Sequence, residues 1–177
     1  PCWLNQVHGS EVIMNPTNKK ILTADASIAS EQDRVCVVMT ADCLPLLISN
    51  KSGTMVAAIH AGWRGLAAGV IDNTITAMNC NTDELLVWLA PAISQSAFEV
   101  GNEVREVFQQ VNINFLECFK LNKRKRWQAD IYKLAKINLN ALGIYNIFGG
   151  NECTYNDPEK FYSFRRNNNC GRMASLI

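Results

Sequence analysis

The sequence predicts a mixed α/β or α+β fold. Three observations carry this expectation: apolar runs of strand length alternate with segments of helical spacing, hairpin connections mix with crossovers, and strands outnumber helices without any internal repeat. At 177 residues, with 48% hydrophobic and 19% charged residues, the chain can bury roughly 70% of the surface its unfolded form exposes. We therefore expect a single domain over 1–177 with a sizeable core.

The elements follow in order. "VCVVMTA" (35–41), "PLLISN" (45–50) and "MVAAIHA" (55–61) have the β-branched, apolar character of strands, and "KSG" at 51–53 joins the last two as a hairpin buried on both strands. From Leu66 the apolar positions change to helical spacing, through Val70, Ile71, Ile75 and Met78. A strand-to-helix junction thus falls at Gly62–Gly65. "ELLVWLAPAI" (84–93) reads as a core strand stopped by Pro91, and "GNEVREVFQQV" (101–111) and "DIYKLAKINLNAL" (130–142) as amphipathic helices. Asp130 is a suitable N-cap for the second of these, and Gly143 a suitable C-cap. "IYNIF" (144–148), "FYSFRR" (161–166) and "RMASLI" (172–177) read as late strands.

Composition excludes several functions. The longest apolar runs fall far short of the about 20 residues that span a bilayer, and a net charge of +1 gives the chain no general attraction to nucleic acid or an anionic membrane. "KRKR" at 123–126 is a lone basic cluster and reads as a solvated loop rather than a nucleic-acid groove. Seven cysteines, odd in number and irregularly spaced without a C-x-x-C pair, are no disulfide framework, so a reducing cytoplasm is expected. The chain starts at Pro1 rather than methionine, which suggests a truncated or processed form.

The chemistry-bearing residues stand at strand ends. His8 follows "WLNQV", Cys43 follows "VCVVMTAD", and His60 ends "MVAAI" ahead of the turn Gly62-Trp63-Arg64-Gly65. Rigid strands fix such side chains while the adjoining loops expose them. Two imidazoles and one thiolate suit Zn²⁺ with an open fourth position. They equally suit Cys43 as a nucleophile with His60 or His8 as its base. Spacing does not choose between the two.

The blocks "NQVHGSEV", "MTADCLPLL", "AAIHAGWRGLAAGV", "LAPAISQSAFEVGNEV", "DIYKLA", "CTY" and "FYSFRRNNNCGRMASLI" resemble, in order, the signature blocks of the YfiH-like family, formerly called polyphenol oxidoreductase or laccase-domain proteins. The resemblance implies layered mixed sheets flanked by helices, similar to the catalytic domain of cytotoxic necrotizing factor toxins. It puts a metal triad on His8, Cys43 and His60. It also implies zinc-dependent phosphorolysis of adenosine, inosine, guanosine and methylthioadenosine, together with deamination of adenosine. Members carry an N-terminal segment with a Thr-Arg-x-Gly-Gly stretch before "QVHG", and the expectation from the resemblance is a catalytic domain without that segment.

The implied reactions set demands on the residues. Phosphorolysis wants cations around phosphate and an enclosed site. Arg64 is the best-placed cation, with Arg165, Arg166 and Arg172 as further phosphate ligands. Deamination wants a water of lowered pKa and a carboxylate. Asp42 is the first choice, as acid/base or as the group that holds a histidine tautomer, and Glu99 the second. Trp63 and Phe98 are candidates for stacking on a purine. A self-contained four-copper laccase is rejected, because two histidines cannot supply its ligands, although His₂Cys suits one copper as well as zinc. A metal-independent Cys-His hydrolase or deamidase, and a non-enzymatic homodimer using the face of 101–111, are the alternatives from other classes.

Overall fold

The computed structural model describes residues 1–17 and 19–177. In chain order the elements are β1 Leu4–Asn5, β2 Val12–Met14, β3 Leu22–Thr23, β4 Ala26–Ala29, β5 Val37–Thr40, β6 Leu44–Asn50, β7 Val56–Ala61, α1 Trp63–Ala67, α2 Val70–Met78, β8 Leu85–Leu89, β9 Glu99–Val100, α3 Asn102–Val111, β10 Phe119–Leu121, β11 Trp127–Ala129, α4 Ile131–Ala141, β12 Ile147–Gly149 and β13 Met173–Leu176. Short 3₁₀ turns cover Thr82–Glu84 and Ile113–Cys118.

A six-stranded mixed sheet in the order β12-β8-β6-β7-β4-β2 organises the fold. Its centre is the β6–β7 hairpin predicted from the sequence, antiparallel with Leu44 opposite Ala61 and Leu46 opposite Ile59. One face buries Leu44, Leu46, Ile48, Ala57, Ile59, Val87 and Leu89 against α2 and α4. The other face packs Ala58 against Ala29, Cys36 and Val38, and so lies under the β5–β13 pair. With both faces covered, the hairpin strands are apolar almost throughout, which is why they are recognisable without alternation. β8 sits nearer the edge, so Leu85, Val87 and Leu89 point inward while Leu86 and Trp88 stay partly exposed. A second small sheet, β10-β11-β9, lies beside α3.

Several expectations need correction. The helix read from Leu66 onward begins three residues earlier at Trp63 and breaks at Gly69, whose φ of 84° ends α1 and starts α2. The strand expected at 144–148 lies at Ile147–Gly149, paired in parallel with β8. "FYSFRR" (161–166) is no strand: it forms turns, and its backbone and side chains bind a buried carboxylate instead of a ladder neighbour. Asp130 does cap α4, accepting from the Lys133 amide at 2.9 Å, and Gly143 follows that helix with a φ of 81°.

The junction after β7 depends on close backbone approach. A Cβ on Gly65 would lie 2.8 Å from the carbonyl oxygen of Gly9, so only glycine lets α1 press against the loop that holds His8. Gly65→Ala is expected to cost about 1–3 kcal/mol by overpacking against a backbone atom. Urea denaturation would measure it, and an unchanged midpoint would contradict the packing described.

Candidate functional site

Hairpin register brings two of the three metal-ligating candidates together. Because Leu44 pairs with Ala61, Cys43 just before β6 sits opposite Gly62 just after β7, and His60 is the neighbour one step inside. A Cβ on Gly62 would meet His8 Cδ2 at 2.9 Å and Cys43 Sγ at 3.1 Å. The glycine leaves the space these two side chains occupy. His8 enters from the loop after β1, with a φ of 61°.

That loop is held by Asp25, which sequence reasoning missed. Asp25 is fully buried, and its carboxylate accepts the amides of Val7 (3.2 Å), His8 (2.9 Å) and Gly9 (2.7 Å). It also accepts His60 Nδ1–H at 2.7 Å, while the Asp25 carbonyl accepts the His60 amide at 2.7 Å. One residue thus fixes the left-handed backbone at His8 and the ring of His60. The bond at Nδ1 leaves Nε2 of His60 to face Cys43 and His8. The one available signal was an acid placed directly before the fully buried "ASIA" of β4.

The candidate ligand atoms of His8, Cys43 and His60 all lie within 4.8 Å of one another. Cys43 Sγ and His8 Nε2 are 3.7 Å apart, and the two imidazole rings meet edge-on with centroids 4.7 Å apart. Tetrahedral zinc with Zn–S about 2.3 Å and Zn–N about 2.0–2.1 Å would put sulfur and nitrogen about 3.6 Å apart. The residues therefore fit a metal ion.

The three side chains are electrostatically coupled. Burial works to raise the Cys43 thiol, but hydrogen bonds from His60 and His8 outweigh it and bring the pKa down to about 7. Burial likewise works to lower His60, and the bonds to Asp25 and Cys43 reverse this, raising it to about 9. Asp25 is also held below its ordinary value: the His60 bond and the Gly9 and Val7 amides overcome its desolvation. Without a metal, Cys43 is therefore biased toward thiolate and His60 toward imidazolium, and a bound metal would take the place of the His60 Nε2 proton. A thiolate is the form that binds a metal.

Two chambers meet at His8, Ala41, Cys43 and Phe164. One, of about 430 Å³, is lined further by Asn5, Gln6, Thr40, His60 and Arg172. The other, of about 230 Å³, is lined further by Trp63, Arg64, Ile93, Phe98, Ile131 and Arg165. Arginines stack on the aromatic walls: Arg64 over Trp63 at 4.5 Å, Arg165 over Phe98 at 5.7 Å and Arg172 over Phe164 at 5.7 Å. Among the described residues none of these three cations has a carboxylate partner.

Other expected site residues have other partners, although Asp42 also lines the smaller chamber. Arg166 is occupied by the carbonyls of Thr154, Tyr155 and Phe161, so it braces the C-terminal segment and lines neither chamber. Asp42 does not hold a histidine. Asp25 takes that role, and the Asp42 carboxylate accepts from Thr154, Ser163 and the Arg165 amide. Glu99 accepts from Asn122 and Arg124, both in the β10–β11 turn that carries Lys123–Arg126. That turn is an exposed hairpin end, as its composition suggested.

A family model described as multi-copper polyphenol oxidoreductase laccase matches residues 1–177. The chain belongs to that family. Within this laccase-named family, all of the chain matches a purine nucleoside phosphorylase of Pseudomonas aeruginosa and the purine nucleoside phosphorylase YfiH of Escherichia coli. Each is 48% identical, and the match covers 73% of each relative. A crystal structure of Neisseria meningitidis protein NMB0706 covers 99% of the chain and 73% of its own, with TM-score 0.95 and 42% identity. YlmD from Geobacillus stearothermophilus shares the fold at TM-score 0.89 and 23% identity.

If Asp25 orients His60, removing its charge weakens metal binding without removing a ligand. Asp25→Asn is expected to lower zinc affinity by about 10- to 100-fold, measured by competition with a chromogenic chelator. Wild-type affinity in that variant would contradict the role.

Proposed function

We propose that this protein phosphorolyses purine nucleosides, with a zinc ion on His8, Cys43 and His60, and that it deaminates adenosine as a second activity. The observation that carries the reading is the pair of relatives named purine nucleoside phosphorylase, which match the whole chain at 48% identity. The site supplies suitable parts. The substrates are adenosine, inosine, guanosine or methylthioadenosine with phosphate, and the products free purine and ribose 1-phosphate.

The smaller chamber suits the base. Trp63, Phe98 and Phe164 offer aromatic surface, backed by Ile93 and Ile131, and stacking of a base on an aromatic side chain contributes about 1–3 kcal/mol. The larger chamber, with Arg172, Asn5 and Gln6, suits phosphate and ribose hydroxyls. Attack at the anomeric carbon needs phosphate and leaving base on opposite faces of the sugar, and the two chambers join at the triad in a way that allows this. Arg64 and Arg165 add positive potential at the mouth, where uncompensated cations raise the local concentration of an anion. Their fixed positions favour the bound phosphate anion and stabilise the negative charge that grows on the departing purine.

His8, Cys43 and His60 would hold a zinc ion, which would supply the Lewis-acid chemistry that hydrolytic attack on C6 of adenine requires. Of the chain's own residues, Asp25 sets the His60 tautomer, and the aromatic walls keep water off the base. One copper ion would suit the same donors. The multi-copper description of the family asks for more imidazoles than the two histidines of this chain.

Chromatography of adenosine incubated with metal-analysed protein tests the reading, with and without phosphate, beside Cys43→Ala and His60→Ala. We expect phosphate-dependent adenine and some inosine, with both products and zinc lost in the variants. Phosphate-independent amide hydrolysis by metal-free protein, abolished by alkylation of Cys43, would instead establish a Cys-His hydrolase.

A further inference from the structure

The turn between β5 and β6 carries an unusual residue. Asp42 has a φ of 88°, in the left-handed region that side chains with a Cβ seldom adopt, and it directly precedes Cys43. Residues are kept in such conformations when their surroundings over-determine them. Here the surroundings are distant in sequence. The Asp42 carboxylate is 9% exposed as a residue and accepts Thr154 Oγ1–H at 2.6 Å, Ser163 Oγ–H at 3.0 Å and the Arg165 amide at 2.7 Å, across 112 to 123 positions of chain. Its carbonyl accepts the Ile93 amide at 3.0 Å.

Two of these bonds bracket a single residue. Ser163 and Arg165 both bind Oδ2 of Asp42, so the backbone of Phe164 between them is fixed to the residue next to Cys43. Phe164 lines both chambers, and Arg165 lines the aromatic one while donating to the Glu99 carbonyl at 2.8 Å. The 161–166 turn belongs to no sheet; Arg166 braces its end through the carbonyls of Thr154, Tyr155 and Phe161, and the Asp42 carboxylate holds its middle, at Ser163 and Arg165.

We propose that Asp42 is a positioning residue for the nucleoside: it ties the Cys43 turn to the Phe164–Arg165 wall and so sets the gap between the metal ligands and the surface that grips the substrate. The substrate part rests on the reading of this site as a nucleoside phosphorylase. The tie itself is a property of the fold and is testable without turnover. Asp42 acts in this role as an acceptor of three hydrogen bonds, not as a source of protons.

The test uses the zinc-loaded protein with Asp42→Ala, Asp42→Asn and Thr154→Val, the last removing one of the three bonds while leaving the charge. Hydrogen exchange by mass spectrometry reads the backbone of 161–166, metal analysis reads zinc, and steady-state kinetics separate KM for adenosine from kcat over pH. We expect exchange in 161–166 to rise at least tenfold in Asp42→Ala, less in Thr154→Val, with partial recovery in Asp42→Asn and zinc retained in all three. KM for adenosine should rise about tenfold or more in Asp42→Ala, with the shape of the kcat pH profile unchanged. Unaltered exchange in Asp42→Ala and Thr154→Val would overturn the proposal. So would a collapse of kcat with one limb of the pH profile lost and KM unmoved, which is the signature of an acid or base. If the wild-type protein turns over no nucleoside, the function fails while the exchange data still decide the tie.

Discussion

A single buried carboxylate, that of Asp25, governs the candidate metal centre. Burying a charge is costly unless it is paired and hydrogen-bonded, and Asp25 meets that requirement with three consecutive backbone amides and one imidazole. The amides belong to the loop carrying His8, and the imidazole is His60. Satisfying the carboxylate therefore fixes two ligands at once, from the residue directly before β4, the strand between β2 and β7 in the sheet. Cys43 arrives independently, through the register of the β6–β7 hairpin. Geometry and electrostatics then reinforce each other: the carboxylate favours a proton on His60, and that proton favours thiolate at Cys43.

The same logic repeats on the other side of Cys43. Asp42 gathers donors from the C-terminal segment much as Asp25 gathers those of the His8 loop. Two adjacent turns are thus each built around a buried acid, and the three candidate ligands lie between them. The cations nearby are treated differently. Arg64, Arg165 and Arg172 lie on aromatic rings rather than on carboxylates, which leaves their charge available to an anionic ligand.

Much of this was legible in the sequence, for physical reasons. The central hairpin is buried on both faces, so continuous apolar runs marked it, and His8, Cys43 and His60 stood at strand ends beside turn residues. The break at Gly69 was hidden because the apolar spacing runs unbroken from Leu66 to Met78, while the interruption lies in one backbone angle. β4 was not foreseen, since "ASIA" has little of the β-branched character that signals a strand. "FYSFRR" has strand-like aromatics, but its polar groups are satisfied by Asp42, more than 100 positions away. Asp25 escaped for the same reason. Its partners are 16 to 35 positions away, and no local pattern relates a lone acid to two distant histidines.

X-ray absorption at the zinc edge, on protein loaded with one equivalent of zinc, reads the ligand set of the triad. One sulfur at about 2.3 Å is expected, with nitrogen or oxygen neighbours at about 2.0–2.1 Å, and loss of the sulfur shell in Cys43→Ser. A spectrum with only nitrogen and oxygen neighbours in the wild-type protein, or with two or more sulfurs, would contradict this ligand set.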